Sequence, residues 1–280
     1  MAVRHPDAHI TGLDIVPVYT DMSGLRFDFK QHDFNTPLPF ETGSFDMVFA
    51  RDVAMGMPCG DMYAGVVTEM VRVLRPGGVL EVHAVDNIIR CLRRQEEVGY
   101  EKGTGAYVVS PTTGFEETRN VYVKGYNERL SRGLAELGLQ PVPCTMIAPA
   151  MVGEGLVGVQ GRRLAMPLDE VWWEEGGEKW ESPGVEAFRK RMRRSSVHST
   201  ATGREGGVLT EQEKAVRGLA RLCFVQLVEG LEVVLRKEGA MREDEWDRWY
   251  RELMWNFMEG GGLRGGECVE YGVWWGVKPA

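Results

Sequence analysis

The chain lacks three features that would assign it to a class at once: paired cysteines, long apolar runs and excess positive charge. Its five cysteines in 280 residues never form a CxxC pair, so the sequence indicates neither a disulfide framework nor a metal site. We therefore predict no metal and a reducing compartment, the cytoplasm. No apolar run approaches the roughly 18 residues that span a bilayer, and a formal net charge of -8 argues against nucleic acid as the main partner.

What the first third of the chain does contain is a series of short apolar runs and one amphipathic helix. The runs typical of buried strands are 9–15, 25–32, 45–51 and 79–85. Apolar residues then repeat at helical spacing over 62–74, and Pro76 with Gly77 and Gly78 ends that helix. Because parallel neighbouring strands need a crossover of this kind, the order predicts an α/β sheet.

Several pieces of this region form a recognisable signature. They are Leu38-Pro39-Phe40, Ser44-Phe45-Asp46, Glu69 and Arg72-Val73-Leu74-Arg75-Pro76-Gly77-Gly78. The set resembles the class I S-adenosylmethionine-dependent methyltransferases. The resemblance implies a Rossmann-like, mostly parallel sheet with an antiparallel last strand, S-adenosyl-L-methionine as cofactor, and methyl transfer to an acceptor, for which we favour a small molecule.

The chain departs from that family at its start. In the family the first strand ends in a glycine-rich loop beside the methionine part of the cofactor, and no such loop precedes Asp14. We therefore expect the first strand to be missing, which leaves its neighbours with unpaired backbone groups at about 1–3 kcal/mol each where they are buried. Two interpretations stay open: an N-terminally truncated enzyme, or a descendant that has lost catalysis.

The resemblance also assigns the cofactor residues. Asp14, at the end of the first predicted strand, corresponds to the acid that accepts the ribose hydroxyls, and Ile15 would lie beside the adenine. Asp33 corresponds to the acid that accepts the adenine amino group, and Phe34 offers a backbone N–H and an apolar surface. Arg51 ends the third predicted strand and faces the same cleft, since open α/β sheets bind ligands at the carboxyl ends of their strands. Each acid has an alternative role as a local cap or surface residue.

His83 is the candidate for acid–base chemistry. Among five histidines it alone is predicted near the carboxyl end of a central strand, where a neutral imidazole can remove a proton from the acceptor. Glu81 shares its face by strand alternation. The alternative is a hydrogen-bonded histidine with a purely structural role, and no other catalytic residue is assigned.

The remaining chain is predicted to complete one domain, residues 1–280. Residues 120–137 read as an amphipathic helix, 145–151 as a sixth strand, and 269–278 as the antiparallel last strand.

An insertion is expected over 152–266. Within it, 189–207 is basic and then Ser/Thr/Gly-rich, which predicts a mobile loop, and its run 189–194 would also suit nuclear import. Residues 209–259 predict a helical pair with a Thr210 cap, interpreted as a cover over the cofactor cleft or as packing outside the sheet.

Three functions therefore remain. The first is a methyltransferase acting on a small molecule, with a protein acceptor still open. The second is a non-catalytic methyltransferase-like scaffold or binding protein, which the absent glycine loop favours. The third is a dinucleotide-dependent dehydrogenase, because an acid such as Asp14 also suits a nicotinamide ribose; the absent glycine fingerprint and the LRPGG turn argue against it. The oligomeric state is left open.

Overall fold

The computed structural model describes residues 4–17, 24–56, 58, 61–94, 99–174, 209–237 and 241–280. Within them the strands are β1 Ile10–Asp14, β2 Phe27–Gln31, β3 Phe45–Arg51, β4 Leu74–Val85, β5 Arg90–Leu92, β6 Tyr100–Glu101, β7 Ala106–Val108, β8 Phe115–Glu116, β9 Val157–Pro167 and β10 Glu267–Val277. The helices are α1 Asp61–Val73, α2 Val121–Glu136, α3 Ile147–Gly153, α4 Glu211–Gly230, α5 Glu232–Lys237 and α6 Glu243–Met258, with short 3-10 turns at Val53–Gly56 and Pro143–Thr145.

The described strands form two sheets. β1 and β2 pair in parallel as a separate two-stranded sheet. The larger sheet runs β3-β4-β10-β9-β7-β6, and β5 and β8 extend it beside β10. β3 and β4 are parallel, whereas β10 is antiparallel to both β4 and β9. The predicted α/β class with an antiparallel closing strand is confirmed, and the antiparallel strands beyond β10 are an addition that the sequence did not predict.

The LRPGG turn is fixed from both sides. Gly77 has φ +78°, a conformation that glycine adopts without strain. The Gly77 N–H donates to the Lys278 carbonyl at 2.8 Å, and the Lys278 N–H donates to the Gly78 carbonyl at 2.9 Å. The Lys278 ammonium in turn donates to the carbonyls of Val71 and Leu74 at 2.8 and 2.6 Å. A cation at this end of α1 complements the helix dipole, so the last strand and the helix stop stabilise each other.

The expected sixth strand at 145–151 is wrong. A 3-10 turn leads into α3, Ile147–Gly153, and the strand lies later, at β9. A short apolar run cannot be assigned to strand or buried helix from periodicity alone. Here Pro149 falls in the first turn of α3, where a helix tolerates the missing N–H, and Met151 packs in the core below the sheet.

Two hydrophobic clusters hold these layers together. The first joins α1 and α3 to one face of β4 and β10 around Leu80, Val82 and Trp274. The second joins α2 to α4, α5 and α6 around Tyr126, Phe224 and Phe257. A side chain buried in this way contributes about 1.5–3 kcal/mol, so the helical part of the insertion is anchored chiefly on α2.

Side chains cap the starts of α2 and α4. The Asn120 side chain accepts from the N–H groups of Tyr122 and Val123 at the start of α2, and Thr210 forms the expected capping box with Glu213 at the start of α4. The cover role of the helical pair over a cofactor stays a prediction. The 189–207 loop and the 189–194 basic run lie outside the described residues. Within the described ranges every helix is too short or too polar to traverse a lipid bilayer.

Candidate functional site

The candidate site lies where β1, β2, β3 and β4 end. In the parallel register of β1 and β2, Asp14 stands opposite Gln31, so Asp14 and Asp33 leave the same edge of the small sheet. In the parallel register of β3 and β4, Arg51 stands opposite His83. Each pair of neighbouring strands therefore presents its candidate side chains at its carboxyl end, as the α/β order requires.

Asp14 and Ile15 form the first part of this edge. Asp14 Oδ1 accepts from the Val16 N–H at 2.9 Å, which makes a local turn and leaves Oδ2 for another donor. The Asp14 carbonyl accepts from the His32 N–H at 2.9 Å, and this bond ties the exits of β1 and β2 together. Ile15 is 56% exposed, so its side chain is free to contact a ligand.

Asp33 and Phe34 follow β2. Asp33 Oδ1 accepts from the Asn35 N–H at 3.0 Å, again a local turn with one carboxylate oxygen spare. The Phe34 ring packs so close to Gly56 that a Cβ there would lie 2.8 Å from it, and the ring also contacts the first hydrophobic cluster. Phe34 therefore joins the end of β2 to the turn that follows β3.

Arg51 and Asp52 end β3 as an exposed ion pair at 3.4 Å. Within the described part of the chain Asp52 is the single residue other than glycine with positive φ, at 56°. The Asp52 N–H donates to the His83 carbonyl at 3.2 Å, which holds that conformation. Strained backbone of this kind often marks functional sites, and here it turns the Asp52 side chain toward solvent.

His83 is the centre of a polar group on one sheet face. Its Nδ1 is hydrogen-bonded to the Tyr271 hydroxyl at 2.5 Å, and its Nε2 to Glu81 Oε1 at 2.7 Å. The Phe49 ring stands edge-on to the imidazole, with centroids 5.0 Å apart. Burial, followed by the charge of Asp52, raises the pKa of Tyr271. Sequence reasoning missed Tyr271, whose only signal was strand alternation on a segment 188 positions away.

Two strand edges beside this site have no partner among the described residues. β1 pairs only with β2, and β3 is the terminal strand of the large sheet. The outer side of β3 also carries Met47, which is 44% exposed. The glycine-rich loop that the family places between these edges has no counterpart in the part of the chain that the structure describes.

A buried ionic cluster lies beyond β4. Asp86, Cys144 and Glu270 could each offer one ligand atom to a metal, and these three atoms lie within 4.8 Å of one another. However, Arg90 contacts both carboxylates, at 3.0 and 3.4 Å, and Arg163 pairs with Glu270. Two cations already balance the two acids, and burial raises the pKa of Asp86. The arrangement therefore works as an internal ion network that joins β4, β9 and β10.

Comparison with known proteins decides the family of the first segment. Residues 1–82 match the family described as "Methyltransferase domain". We call residues 1–82 the methyltransferase-domain segment. The resemblance to class I methyltransferases is thus confirmed for this segment, which contains Asp14, Asp33 and Arg51 and ends just before His83.

The methyltransferase-domain segment has a curated relative. Over 90 residues the chain is 36% identical to sterol 24-C-methyltransferase ERG6B of Gibberella zeae, covering 29% of this chain and 23% of that protein. The chain therefore spans less than a quarter of that relative's length.

Solved structures show distant likeness over more of the chain. Phosphoethanolamine N-methyltransferase 2 of Haemonchus contortus, in complex with phosphomonomethylethanolamine and S-adenosylhomocysteine, is 11% identical with a TM-score of 0.41, covering 99% of this chain and 46% of that one. A Galdieria sulphuraria protein described as a sarcosine dimethylglycine methyltransferase is 15% identical with a TM-score of 0.44, covering 99% and 72%. Likeness at this level identifies no acceptor.

Proposed function

We propose that this chain forms the adenosine-binding side of an S-adenosyl-L-methionine-dependent methyltransferase that acts on a small-molecule acceptor. One observation carries the proposal. Within the methyltransferase-domain segment, two carboxylates, Asp14 and Asp33, leave the same edge of a parallel strand pair, and each keeps one oxygen outside its local turn.

The residues present fit the adenosine half of the cofactor. In the proposed assignment Asp14 accepts the ribose hydroxyls, Ile15 and Phe34 cover the adenine, and Asp33 accepts its amino group. Arg51 stands toward the methionine end. When bound, the cofactor supplies an electrophilic methyl group, and transfer of that group depends mainly on positioning of the acceptor. His83 is the candidate to take the proton that the acceptor loses; because Glu81 and Tyr271 occupy its two ring nitrogens, that proton would reach the imidazole through the Tyr271 hydroxyl.

The methionine end has less support. The glycine-rich backbone that would surround it is absent among the described residues, and the edges of β1 and β3 are unpaired there. The second candidate is a non-catalytic methyltransferase-like binding protein. The small-molecule acceptor and a cytoplasmic location also belong to the proposal. Among the described residues, the free cysteines Cys91, Cys144, Cys223 and Cys268 support a reducing compartment.

Titration calorimetry separates these candidates. The chain as it stands should bind S-adenosyl-L-methionine weakly or not at all. An N-terminally extended form that supplies an apolar strand and a glycine-rich loop should bind it clearly tighter. In that form Asp14→Ala and Asp33→Ala should each weaken binding by about 1–3 kcal/mol, because buried polar groups of the ligand lose their acceptors.

His83→Ala should leave cofactor affinity unchanged in that form, and Asp7→Ala serves as a matched exposed control. Unchanged affinity in both variants, Asp14→Ala and Asp33→Ala, would show that the cofactor is placed wrongly. An extended form that binds the cofactor but methylates no amine, hydroxyl or carbon acceptor in a broad panel would support the binding-protein alternative.

A further inference from the structure

One face of the large sheet places a carboxylate between two aromatic side chains. Glu81 of β4 stands directly opposite Phe49 of β3 and directly opposite Trp275 of β10. Side chains in such cross-strand positions lie about 4.5–5.5 Å apart at Cβ. Trp275 is 38% exposed and Phe49 is half-buried, so the two aromatic residues flank Glu81 in an open site on this sheet face.

The Glu81 carboxylate is fixed by a hydrogen bond to one of its two oxygens. Its Oε1 is hydrogen-bonded to His83 Nε2 at 2.7 Å, and the imidazole is fixed from its other side by Tyr271. Within the part of the chain that the structure describes, Oε2 has no hydrogen-bond or ionic partner, and the side chain is 31% exposed. The Oε2 atom of Glu81 is therefore available to a ligand, while the bond from Oε1 to His83 fixes the side chain.

The two nearby arginines do not pair with the Glu81 carboxylate. On the same face, the register positions next to His83 are Arg51 on β3 and, through Val273, Arg162 on β9. Arg51 is paired with Asp52 and Arg162 with Glu101. Neither arginine therefore pairs with Glu81, whose contact is with His83.

We propose that this site binds a small organic cation, namely a quaternary or methylated ammonium group. Aromatic faces attract such cations through their quadrupoles, and the Glu81 carboxylate adds a charge at short range that a neutral ligand of the same shape cannot use. A compact ammonium bearing methyl groups suits the two aromatic side chains better than a metal ion. Its methyl groups bury apolar surface against Phe49 and Trp275.

In terms of the proposed function, the site would hold an amine acceptor or its methylated product. That part rests on the proposed function, whereas binding of the cation does not. The test is therefore run without S-adenosyl-L-methionine, so that failure of the methyltransferase proposal and failure of this one remain distinguishable.

The probe is choline, titrated into the whole chain and followed by tryptophan fluorescence and by chemical shifts of the Trp275 indole. The matched ligand control is 3,3-dimethyl-1-butanol, the uncharged carbon analogue of choline, at equal ionic strength. The variants are Glu81→Gln, which keeps the size of the side chain, and Trp275→Leu. Glu116→Gln removes an equivalent partly exposed carboxylate on β8, which pairs with Arg93, and serves as the protein control.

We expect choline to bind about fivefold or more tightly than its neutral analogue, and Glu81→Gln to remove that preference. Trp275→Leu should weaken both ligands, and Glu116→Gln should change neither. Circular dichroism confirms that each variant is folded. Equal affinity for choline and the neutral analogue would overturn the proposal in favour of plain apolar contact, and so would the absence of choline binding or full retention of it in Glu81→Gln.

Discussion

Replacing Arg217 tests how the helical part of the insertion is attached. Arg217 lies on α4 and is 1% exposed. Its guanidinium forms two parallel bonds of 2.7 Å to the carboxylate of Glu174. It also donates to the carbonyls of Gly105 and Asp169, at 2.8 and 3.1 Å. These four bonds tie α4 to the β6–β7 hairpin and to the segment after β9.

The cost of Arg217→Leu follows from what it leaves behind. The Glu174 side chain is only 6% exposed, so its charge stays in the interior without its partner. Removing one member of a buried ion pair costs about 3–5 kcal/mol. At about 2–4 °C per kcal/mol for a large domain, that corresponds to a fall in melting temperature of roughly 6–20 °C.

Urea unfolding followed by far-UV circular dichroism measures this change. The control is Arg236→Leu, which removes a partly exposed pair with Glu232 on α5 and should cost about 0.3–0.5 kcal/mol. The double variant Arg217→Leu/Glu174→Leu should be more stable than Arg217→Leu alone, because no buried charge remains. A loss below about 1 kcal/mol in Arg217→Leu, or a double variant whose loss equals the sum of the two single changes, would refute the reasoning.

Three further changes test other parts of the structure by the same unfolding assay. Thr210→Ala removes the capping box of α4 and should cost about 1 kcal/mol; an unchanged midpoint would mean that α4 begins elsewhere. Gly272→Ala should lower stability by about 1–3 kcal/mol, because its Cβ would lie 2.0 Å from the Trp274 ring. The control Gly218→Ala, on α4 with nothing within 4 Å of the new Cβ, should raise stability by about 0.5–1 kcal/mol, and the opposite order of stabilities would show that the indole is placed wrongly. Burial raises the pKa of Asp86 in the folded state above its unfolded value, so its contribution is full below about pH 3.9 and is lost as pH rises through the folded pKa. Asp86→Asn should therefore lose less stability than the unmodified chain between acid and neutral pH, and identical pH profiles would contradict this.

Local pattern was enough for the elements of the first third. The apolar runs 45–51 and 79–85, the helical repeat before Pro76 and, further along, the cap at Thr210 each involve residues that are close in sequence. Their preferences come from backbone and side-chain geometry over a few residues. The same information was insufficient at 145–151, where an apolar run satisfied either a strand or a helix and packing against the sheet selected the helix.

The candidate site also contains some residues that local sequence predicts and some contacts that it does not. The positions of Asp14, Asp33 and Arg51 at or just after strand ends could be predicted from the sequence, because those ends are marked locally, whereas the roles that the family resemblance suggests stay predictions. The partners of His83 could not be found in this way. Its contact with Tyr271 depends on β10 returning between β4 and β9, and no local pattern specifies which strands become neighbours.

The sequence by itself therefore determined the strands and the helix of the first third and the acids at the ends of those strands, since these depend on short-range sterics and on apolar periodicity. Only the tertiary structure decided which strands pair, that Glu81 lies between Phe49 and Trp275, and that Arg217 buries its charge against Glu174. Those contacts join residues up to 194 positions apart. They arise when the whole chain buries its apolar surface and must pair every polar group that it takes out of water.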